Sequence, residues 1–269
     1  MRLGMIAETD AAGFDYVASK KLDFIEAVRN HPDQIERFVS DVPGIRARIQ
    51  TTGIDIPVVG RWGAEVQKNG LIAEEEFSLT KALLNAAIAV GARTFVCGCN
   101  YDPAISLYQN YTVAIRIFDE LLKLADEKIQ IAVYNCEWKN FVYSPEQWKV
   151  VLGELPQLKI KYDAAHTCGR KGDYLSEINT WHDRIAHVHL KGYLETESVG
   201  WVDFPPAGMD QIDWKGLISL LYAKGYDGNL SLEPHSEIWK KGSRNGEYGI
   251  DYSISYFNRL LFRENKGVQ

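Results

Sequence analysis

The chain has 269 residues, of which 46% are hydrophobic and 25% charged, and its formal net charge is −6. This is the composition of an ordinary globular protein, at a length that suits one α/β barrel. The net negative charge and the lack of a run of Lys and Arg residues argue against a nucleic-acid-binding protein, so no nucleic-acid partner is expected.

The chain reads as eight repeats of strand then helix. The predicted strands are Leu3–Ala7, Asp23–Val28, Ile54–Gly60, Arg93–Cys99, Ile129–Tyr134, Lys159–Asp163, Ile185–Leu190 and Asn229–Glu233. The predicted helices are Gly13–Ser19, Pro32–Thr51, Glu74–Val90, Tyr108–Asp126, one that starts at Ser144-Pro145, Asp173–His182, Trp214–Lys224 and Tyr252–Phe262. Strands that alternate with such helices indicate parallel βα units. Eight units predict a single (β/α)8 TIM barrel over residues 1–269, although a doubly wound open sheet fits the same pattern.

Two further features narrow the class of protein. The first strand is not followed by G-x-G-x-x-G, which disfavours a dinucleotide-binding sheet. The four cysteines, Cys97, Cys99, Cys136 and Cys168, lack zinc-finger spacing and are interpreted as free thiols in a reducing compartment. No apolar run approaches ~18 residues and the start MRLGMIAETD lacks signal-peptide features, so we expect no membrane span and a cytoplasmic location.

Three predicted strands end in residues that commonly bind metal ions. The segments are YDAAH at Tyr162–His166, HVHLKG at His187–Gly192 and LSLEPH at Leu230–His235. Carboxylate, imidazole and carboxylate at successive strand ends suit a divalent cation. A parallel barrel would bring these ends together at its C-terminal rim. The alternative is that Asp163 only caps or pairs and that His187 is a buried, hydrogen-bonded histidine.

These segments resemble the xylose isomerase-like TIM-barrel family of sugar isomerases and epimerases, which also contains endonuclease IV. The resemblance lies in D-x-x-H at Asp163–His166, in H-x-H-x-K at His187–Lys191 and in Glu233 of the last strand. It implies that Asp163, His189 and Glu233 bind one divalent metal ion, such as Mn²⁺, Mg²⁺, Co²⁺ or Zn²⁺. It further implies that His166 contacts substrate hydroxyls and that Lys191 lines the pocket.

The chain departs from the family at the end of the fifth strand. The family has a metal-binding glutamate there, whereas this chain has Tyr134. Either Glu137 replaces that ligand from the following loop, or water completes the coordination sphere. The ketose 3-epimerases use the missing glutamate in their two-glutamate proton shuttle, so the departure disfavours a plain 3-epimerase.

Aromatic residues follow many of the predicted strands: Trp62, Tyr101, Trp138, Trp201, Phe204 and Trp239. Aromatic faces stack on the C–H faces of sugars, and no phosphate cradle follows the last two strands, so we expect an unphosphorylated sugar. The alternative is that about half of these rings only pack against loops. A phosphorylated sugar is a second alternative, because Arg61 and Lys191 could bind a phosphate group. The predicted substrate-binding residues are Arg61, Trp62, Trp138, His187, Lys191, Trp201 and His235.

The sequence therefore predicts a metal-dependent sugar isomerase or epimerase that acts on a monosaccharide or keto-sugar through an enediolate. Glu233 is the candidate base, and Glu137 or His166 is its partner acid. If that acid protonates a β-leaving group, the same intermediate leads to a lyase, a dehydratase or a keto-glycoside-cleaving enzyme.

Two alternatives come from other classes of protein. A repair endonuclease would need further metal ligands before Asp163 and a basic face, and the sequence has neither. A non-catalytic sugar-binding barrel that has lost its metal is the other alternative. Assembly as a homo-oligomer is left open.

Overall fold

A computed structural model describes residues 1–239 and 241–263, and all statements on structure refer to these. The strands are β1 (Arg2–Ile6), β2 (Phe24–Val28), β3 (Asp55–Gly60), β4 (Gln67–Lys68), β5 (Leu71–Ile72), β6 (Thr94–Cys97), β7 (Gln130–Tyr134), β8 (Lys159–Asp163), β9 (Ile185–Leu190), β10 (Leu194–Thr196), β11 (Gly200–Asp203) and β12 (Asn229–Leu232). Among them, eight strands form a closed barrel in the order β1-β12-β9-β8-β7-β6-β3-β2. Neighbouring strands of the barrel pair in parallel, for example β1 with β12 and β6 with β7. The predicted TIM barrel is confirmed.

Helices separate these strands. They are α1 (Ala11–Ser19), α2 (Pro32–Ser40), α3 (Val42–Thr52), α4 (Glu74–Val90), α5 (Leu107–Ala125), α6 (Pro145–Glu154), α7 (Ala164–Gly169), α8 (Tyr174–Trp181), α9 (Trp214–Ala223) and α10 (Arg244–Leu260), with a 3₁₀ turn at His182–Arg184. Their ends follow local chemistry. Ser144 is the N-cap of α6 with Pro145 next, and α4 ends at Gly91, whose φ of 86° suits glycine. In the described part of the chain, every helix is too short or too polar to traverse a lipid bilayer.

Two predicted helices differ from the structure by more than two residues. The predicted helix Pro32–Thr51 is two helices, because Asp41 leaves the helical conformation and Pro43 starts a new first turn. Proline lacks the N–H that a continuous helix would need at that position. The last helix begins at Arg244 rather than Tyr252, since Ser243 caps it by accepting a hydrogen bond from the Gly246 N–H at 3.0 Å.

Two short antiparallel hairpins lie outside the barrel order. One pairs β4 with β5, and the other pairs β10 with β11. The second hairpin lies between β9 and α9 in the chain and carries the exposed ring of Trp201.

Contacts divide the chain into two compact units. The carboxyl-terminal unit comprises residues 1–5 with the chain from 163 onward, and the amino-terminal unit comprises residues 6–162. The carboxyl-terminal unit buries Trp214 of α9 edge-on against Phe257 of α10, with ring centroids 5.3 Å apart. The amino-terminal unit buries strand residues such as Phe24 and Phe95 and the apolar face of α4, including Phe77.

Candidate functional site

The pairing of β9 with β12 sets the positions of the polar residues in the carboxyl-terminal unit. His187 lies opposite Asn229, and His189 lies opposite Ser231. Since side chains alternate along a strand, both histidines lie on the same face. Both are buried, and their rings are perpendicular with centroids 5.3 Å apart. Glu233 follows directly after β12, and its N–H donates to the carbonyl of Leu190 at 3.3 Å, which holds it beside the end of β9.

Asp163 ends β8 and is also the N-cap of α7. Its Oδ1 accepts a hydrogen bond from the Ala165 N–H at 2.9 Å. This cap turns the chain so that His166, three residues later, lies on the same side as the carboxylate. His166 Nε2 is 3.5 Å from Asp163 Oδ2. The D-x-x-H spacing therefore places an imidazole beside a wholly buried carboxylate.

The ammonium group of Lys191 lies at the centre of the polar cluster. Its Nζ is 2.9 Å from Asp163 Oδ2, 3.3 Å from Glu233 Oε2 and 2.8 Å from His166 Nε2. An ammonium has only donors, so His166 Nε2 accepts from it and the proton of this imidazole resides on Nδ1. Lys191 is buried, and its Nζ lies over the ring of Phe204, 5.2 Å from the ring centroid. We call Asp163, His166, His189, Lys191 and Glu233 the polar cluster.

Three members of the polar cluster could hold a metal ion. One ligand atom from each of Asp163, His189 and Glu233 lies within 4.8 Å of the others. His189 Nδ1 and Glu233 Oε2 are 2.8 Å apart, close to the roughly 3 Å that separates two ligands each about 2.1 Å from one ion at a right angle. Two carboxylates against one Lys191 ammonium leave a net negative charge. The donor set and its charge therefore fit a divalent cation.

Aromatic rings flank the polar cluster within the same unit. Phe204 is the centre of this group: its centroid is 5.1 Å from that of Trp201 and 5.5 Å from that of His235. His235 Nδ1 is in turn 3.5 Å from Glu233 Oε1. Trp201 and His235 are both more than half exposed, so this side of the cluster faces solvent. The sequence marks Phe204 only as an aromatic residue after a strand, because its contact with Lys191 exists only in the fold.

Cys168 on α7 belongs to the same neighbourhood. Burial, with a further contribution from the Asp163 carboxylate, raises the pKa of its thiol to about 12. Burial also raises the pKa of Cys97 to about 12. All four cysteines are free, as predicted, and these two thiols stay protonated at neutral pH, so neither is a nucleophile.

Tyr134, which replaces the family glutamate, is fully buried in the amino-terminal unit. Its hydroxyl accepts from the Gly63 N–H at 3.2 Å and donates to the Trp138 carbonyl at 3.1 Å. Its ring stacks on Trp62, with centroids 5.6 Å apart and planes 25° apart. Burial raises its pKa far above the usual range for tyrosine, so it remains neutral. Tyr134 thus anchors two of the aromatic residues that the sequence predicts for sugar binding.

The remaining predicted site residues of the amino-terminal unit follow β3 and β7. Arg61 is buried and forms an ion pair with Glu76, while its Nη1 also donates to the Thr80 hydroxyl at 2.7 Å. Trp62 donates its backbone N–H to Asn30 Oδ1 at 2.8 Å. Glu137 is exposed in the loop after β7. Sequence reasoning missed Gln67, which lines the same cavity as Arg61 and Trp138, because nothing in its local pattern marks it.

Comparison with known proteins places the chain in a family. The family model described as xylose isomerase-like TIM barrel matches residues 6–260. No curated protein shows significant sequence similarity to the chain.

Several solved structures share the fold at low sequence identity. A 3-keto-D-glucoside 4-epimerase from E. coli has a TM-score of 0.75 at 14% identity, covering 96% of this chain and 99% of that one. A D-allulose 3-epimerase from Methylomonas sp. has a TM-score of 0.76 at 17% identity, covering 97% and 98%. An L-ribulose 3-epimerase has a TM-score of 0.75 at 13% identity, covering 99% and 96%. At such identities the likeness concerns the fold. The family match is the stronger finding, and by it the chain belongs to the xylose isomerase-like TIM-barrel family.

Proposed function

We propose that this member of the xylose isomerase-like TIM-barrel family is an epimerase or isomerase of a neutral keto-sugar, and that it moves a proton next to the carbonyl. The observation that carries the proposal is the polar cluster, in which two carboxylates, two imidazoles and one ammonium lie within contact of one another. Enolisation of a sugar needs a base for the proton and positive charge for the developing oxyanion. The fold shared with the sugar epimerases named above supports this choice of chemistry.

Asp163, His189 and Glu233 would hold one divalent cation. When bound, such an ion would polarise a carbonyl and an adjacent hydroxyl, which stabilises negative charge on oxygen. The oxygen and nitrogen donors suit Mn²⁺, Mg²⁺, Co²⁺ or Zn²⁺ and do not choose among them. Lys191 would add a fixed positive charge, because it is buried and in contact with the carboxylates of Asp163 and Glu233.

Glu233 is the base in this proposal, and its two oxygens have different surroundings. Oε2 faces His189 and Lys191, whereas Oε1 lies towards the more exposed His235. We assign proton removal to Oε1. The electron pair of the broken C–H bond then forms the C=C bond of the enediolate, and the carbonyl π pair moves to its oxygen.

The sequence offers His166 and Glu137 as the partner acid, and the contacts favour His166. Its ring is oriented by Lys191, which leaves the proton on Nδ1, the atom that we assign as donor. Return of a proton to the opposite face of the same carbon gives epimerisation, and return to the neighbouring carbon gives isomerisation. Protonation of a β-leaving group would instead give elimination, so the lyase remains the second candidate.

Substrate binding in the carboxyl-terminal unit would fall to Lys191, Trp201 and His235. Trp201 and His235 both contact Phe204 and are more than half exposed, so a sugar in solvent can reach both side chains. His187 is wholly buried and edge-on to His189, so its proposed role is to orient that ring. The carboxylate-rich cluster disfavours a phosphorylated substrate beside it, because like charges repel.

Hydrogen exchange tests the proposal directly. The protein, purified without chelator, is incubated in D₂O with a panel of neutral keto-sugars, and the products are identified by NMR. We expect one sugar to gain deuterium at the carbon next to its carbonyl. Because a shielded proton can return without exchange, the same sugar deuterated at that carbon should also react more slowly. A confirmed substrate that shows neither exchange nor a primary isotope effect would contradict the mechanism.

A further inference from the structure

A second site candidate lies entirely within the amino-terminal unit. A cavity of about 600 Å³ is bordered by the loops that follow β2, β3, β6 and β7. This volume is within the range of roughly 300–1,000 Å³ typical of small-molecule sites. None of the proposed proton-transfer groups of the polar cluster lines it. The cavity therefore needs an explanation of its own.

Three aromatic side chains line this cavity: Trp62, Tyr101 and Trp138. Trp138 is 51% exposed and Tyr101 is 47% exposed, yet the backbone that carries Trp138 is fixed by the Tyr134 hydroxyl. The Trp138 ring lies against Gly63, where a β-carbon would come within 2.6–2.9 Å of three ring atoms. An aromatic ring that is half exposed and held in this way offers a flat apolar surface to a ligand.

Two buried polar atoms of the lining have no hydrogen-bond partner. They are Nε of Arg61, a donor, and Oε1 of Gln67, an acceptor. The other groups of both side chains are bonded: Gln67 Nε2 donates to the Asn110 side chain at 2.9 Å, for example. Unpaired buried polar atoms are costly and call for an explanation. A ligand with hydroxyl groups could satisfy both atoms after a small shift of the side chains, since a hydroxyl donates and accepts.

The charges of the lining indicate a neutral ligand. Three cations, Arg61, Lys68 and Lys139, face three carboxylates, those of Glu65, Glu76 and Asp102. Each carboxylate is already bonded within the protein: Glu65 to Lys139, Glu76 to Arg61, and Asp102 to the Asn69 and Ala104 N–H groups. The formal charges of the lining therefore sum to zero, and each carboxylate is held by an ion pair or hydrogen bonds within the protein. Carboxylates held in this way are poorly placed to act as bases, so the cavity suits ligand binding better than proton transfer.

We propose that this cavity is a binding site for a neutral pyranose ring, with Trp138 and Tyr101 providing the stacking surface and Arg61 and Gln67 bonding hydroxyls. The inference rests on the proposed function only for the choice of a sugar as the ligand. Aromatic faces match the C–H faces of a pyranose, and a donor with an acceptor matches its hydroxyls. The site gives a role to Arg61, Trp62 and Trp138, which the sequence predicts as sugar-binding residues.

Methyl pyranosides are suitable probes, because they have no free carbonyl and cannot enolise. The binding of methyl α- and β-D-glucopyranoside, galactopyranoside, mannopyranoside and xylopyranoside is measured by titration calorimetry and by tryptophan fluorescence. We expect the wild type to bind at least one of them with one-to-one stoichiometry. Trp138→Ala should weaken this binding by about tenfold, and Trp138→Phe should restore most of it. Tyr101→Ala should weaken it by a smaller factor.

Two further variants separate this site from the polar cluster and from general damage. Tyr108→Ala removes an aromatic ring of the same unit that is 79% exposed and does not line the cavity, and it should bind the probe as the wild type does. Asp163→Asn, which alters the polar cluster, should also leave probe binding unchanged. Thermal melting of each variant confirms that it is folded.

The results distinguish failure of this site from failure of the proposed function. If no methyl pyranoside binds up to its solubility limit, or if Tyr108→Ala weakens binding as much as Trp138→Ala, the pyranose site is wrong. Loss of probe binding in Asp163→Asn would also overturn it, since the probe would then occupy the polar cluster. Pyranoside binding together with a confirmed keto-sugar substrate that shows neither proton exchange nor a primary isotope effect would uphold the site and contradict the proposed function.

Discussion

The polar cluster and the aromatic cavity are built by different means. The polar cluster rests on strand ends and the residues immediately after them, so the pairing of β9 with β12 and one helix cap place its atoms. Its members are carboxylates, imidazoles and one ammonium, which are mostly buried and in contact with one another. The cavity of the amino-terminal unit depends instead on loops. Two of its rings, those of Trp138 and Tyr101, are about half exposed. Trp138 is held by one hydrogen bond to its carbonyl and by close packing against Gly63.

This difference indicates how each region should respond to mutation. A residue in the polar cluster has several charged neighbours, so its removal leaves buried charges without compensation. A ring in the cavity contributes contact area, and its loss should weaken binding without disturbing the rest of the unit. We therefore expect large effects on chemistry from the first region and moderate effects on affinity from the second.

Glu233→Gln should produce the largest effect. The amide keeps the size of the side chain but can neither take the proton nor supply a carboxylate to a cation. We expect the turnover of the keto-sugar identified by deuterium exchange to fall about 10²–10⁴-fold, with a lower metal content. Initial rates and elemental analysis of the purified protein measure the two quantities. Glu237→Gln, which changes an exposed carboxylate four residues later, is the control, and equal rates in both variants would remove Glu233 from the mechanism.

His166→Gln and Glu137→Gln decide between the two candidate acids. His166 contacts both Lys191 and Asp163, whereas Glu137 is exposed. We expect His166→Gln to lower turnover by about 10²-fold and Glu137→Gln to leave it close to the wild-type value. The rates are measured at saturating substrate, so that weaker binding is not mistaken for slower chemistry. A larger loss of turnover in Glu137→Gln than in His166→Gln would identify Glu137 as the acid instead.

Tyr134→Phe should give the smallest effect and tests the support of the aromatic cavity. The phenyl ring still stacks on Trp62, but the hydrogen bonds with Gly63 and Trp138 are lost. The stability cost should be about 1 kcal/mol, which corresponds to a melting temperature lower by about 2–4 °C in a chain of this size. Methyl pyranoside affinity should fall a few-fold while turnover of the keto-sugar changes little. An undiminished affinity would show that Gly63 and the loop hold Trp138 without the hydroxyl.

The contrast between the two regions also explains what the sequence could predict. The eight repeats of strand and helix predict the barrel. The strand period of two places His187 and His189 on one face. The D-x-x-H spacing predicts the proximity of Asp163 and His166. These are local rules acting on regular structure, so they hold without knowledge of distant contacts.

The remaining features depend on contacts between residues far apart in the chain. The role of Gln67 follows from its partners Asn100 and Asn110, more than 30 residues away. Similarly, the contact of Lys191 with Phe204 joins residues on either side of the β10–β11 hairpin. The start of α10 was also missed, because glycines at 246 and 249 weaken the helical pattern that the Ser243 cap nevertheless stabilises.

Gly63 has a consequence for how this protein tolerates change in its sequence. It is only partly buried, yet its φ is 72° and the ring of Trp138 fills the space that a β-carbon would take. Any other residue must strain the backbone or push the indole away. In a library of random variants, position 63 should therefore be depleted as strongly as an interior position when survival depends on sugar binding. Substitutions at position 63 should be tolerated when the variants are selected only for folding.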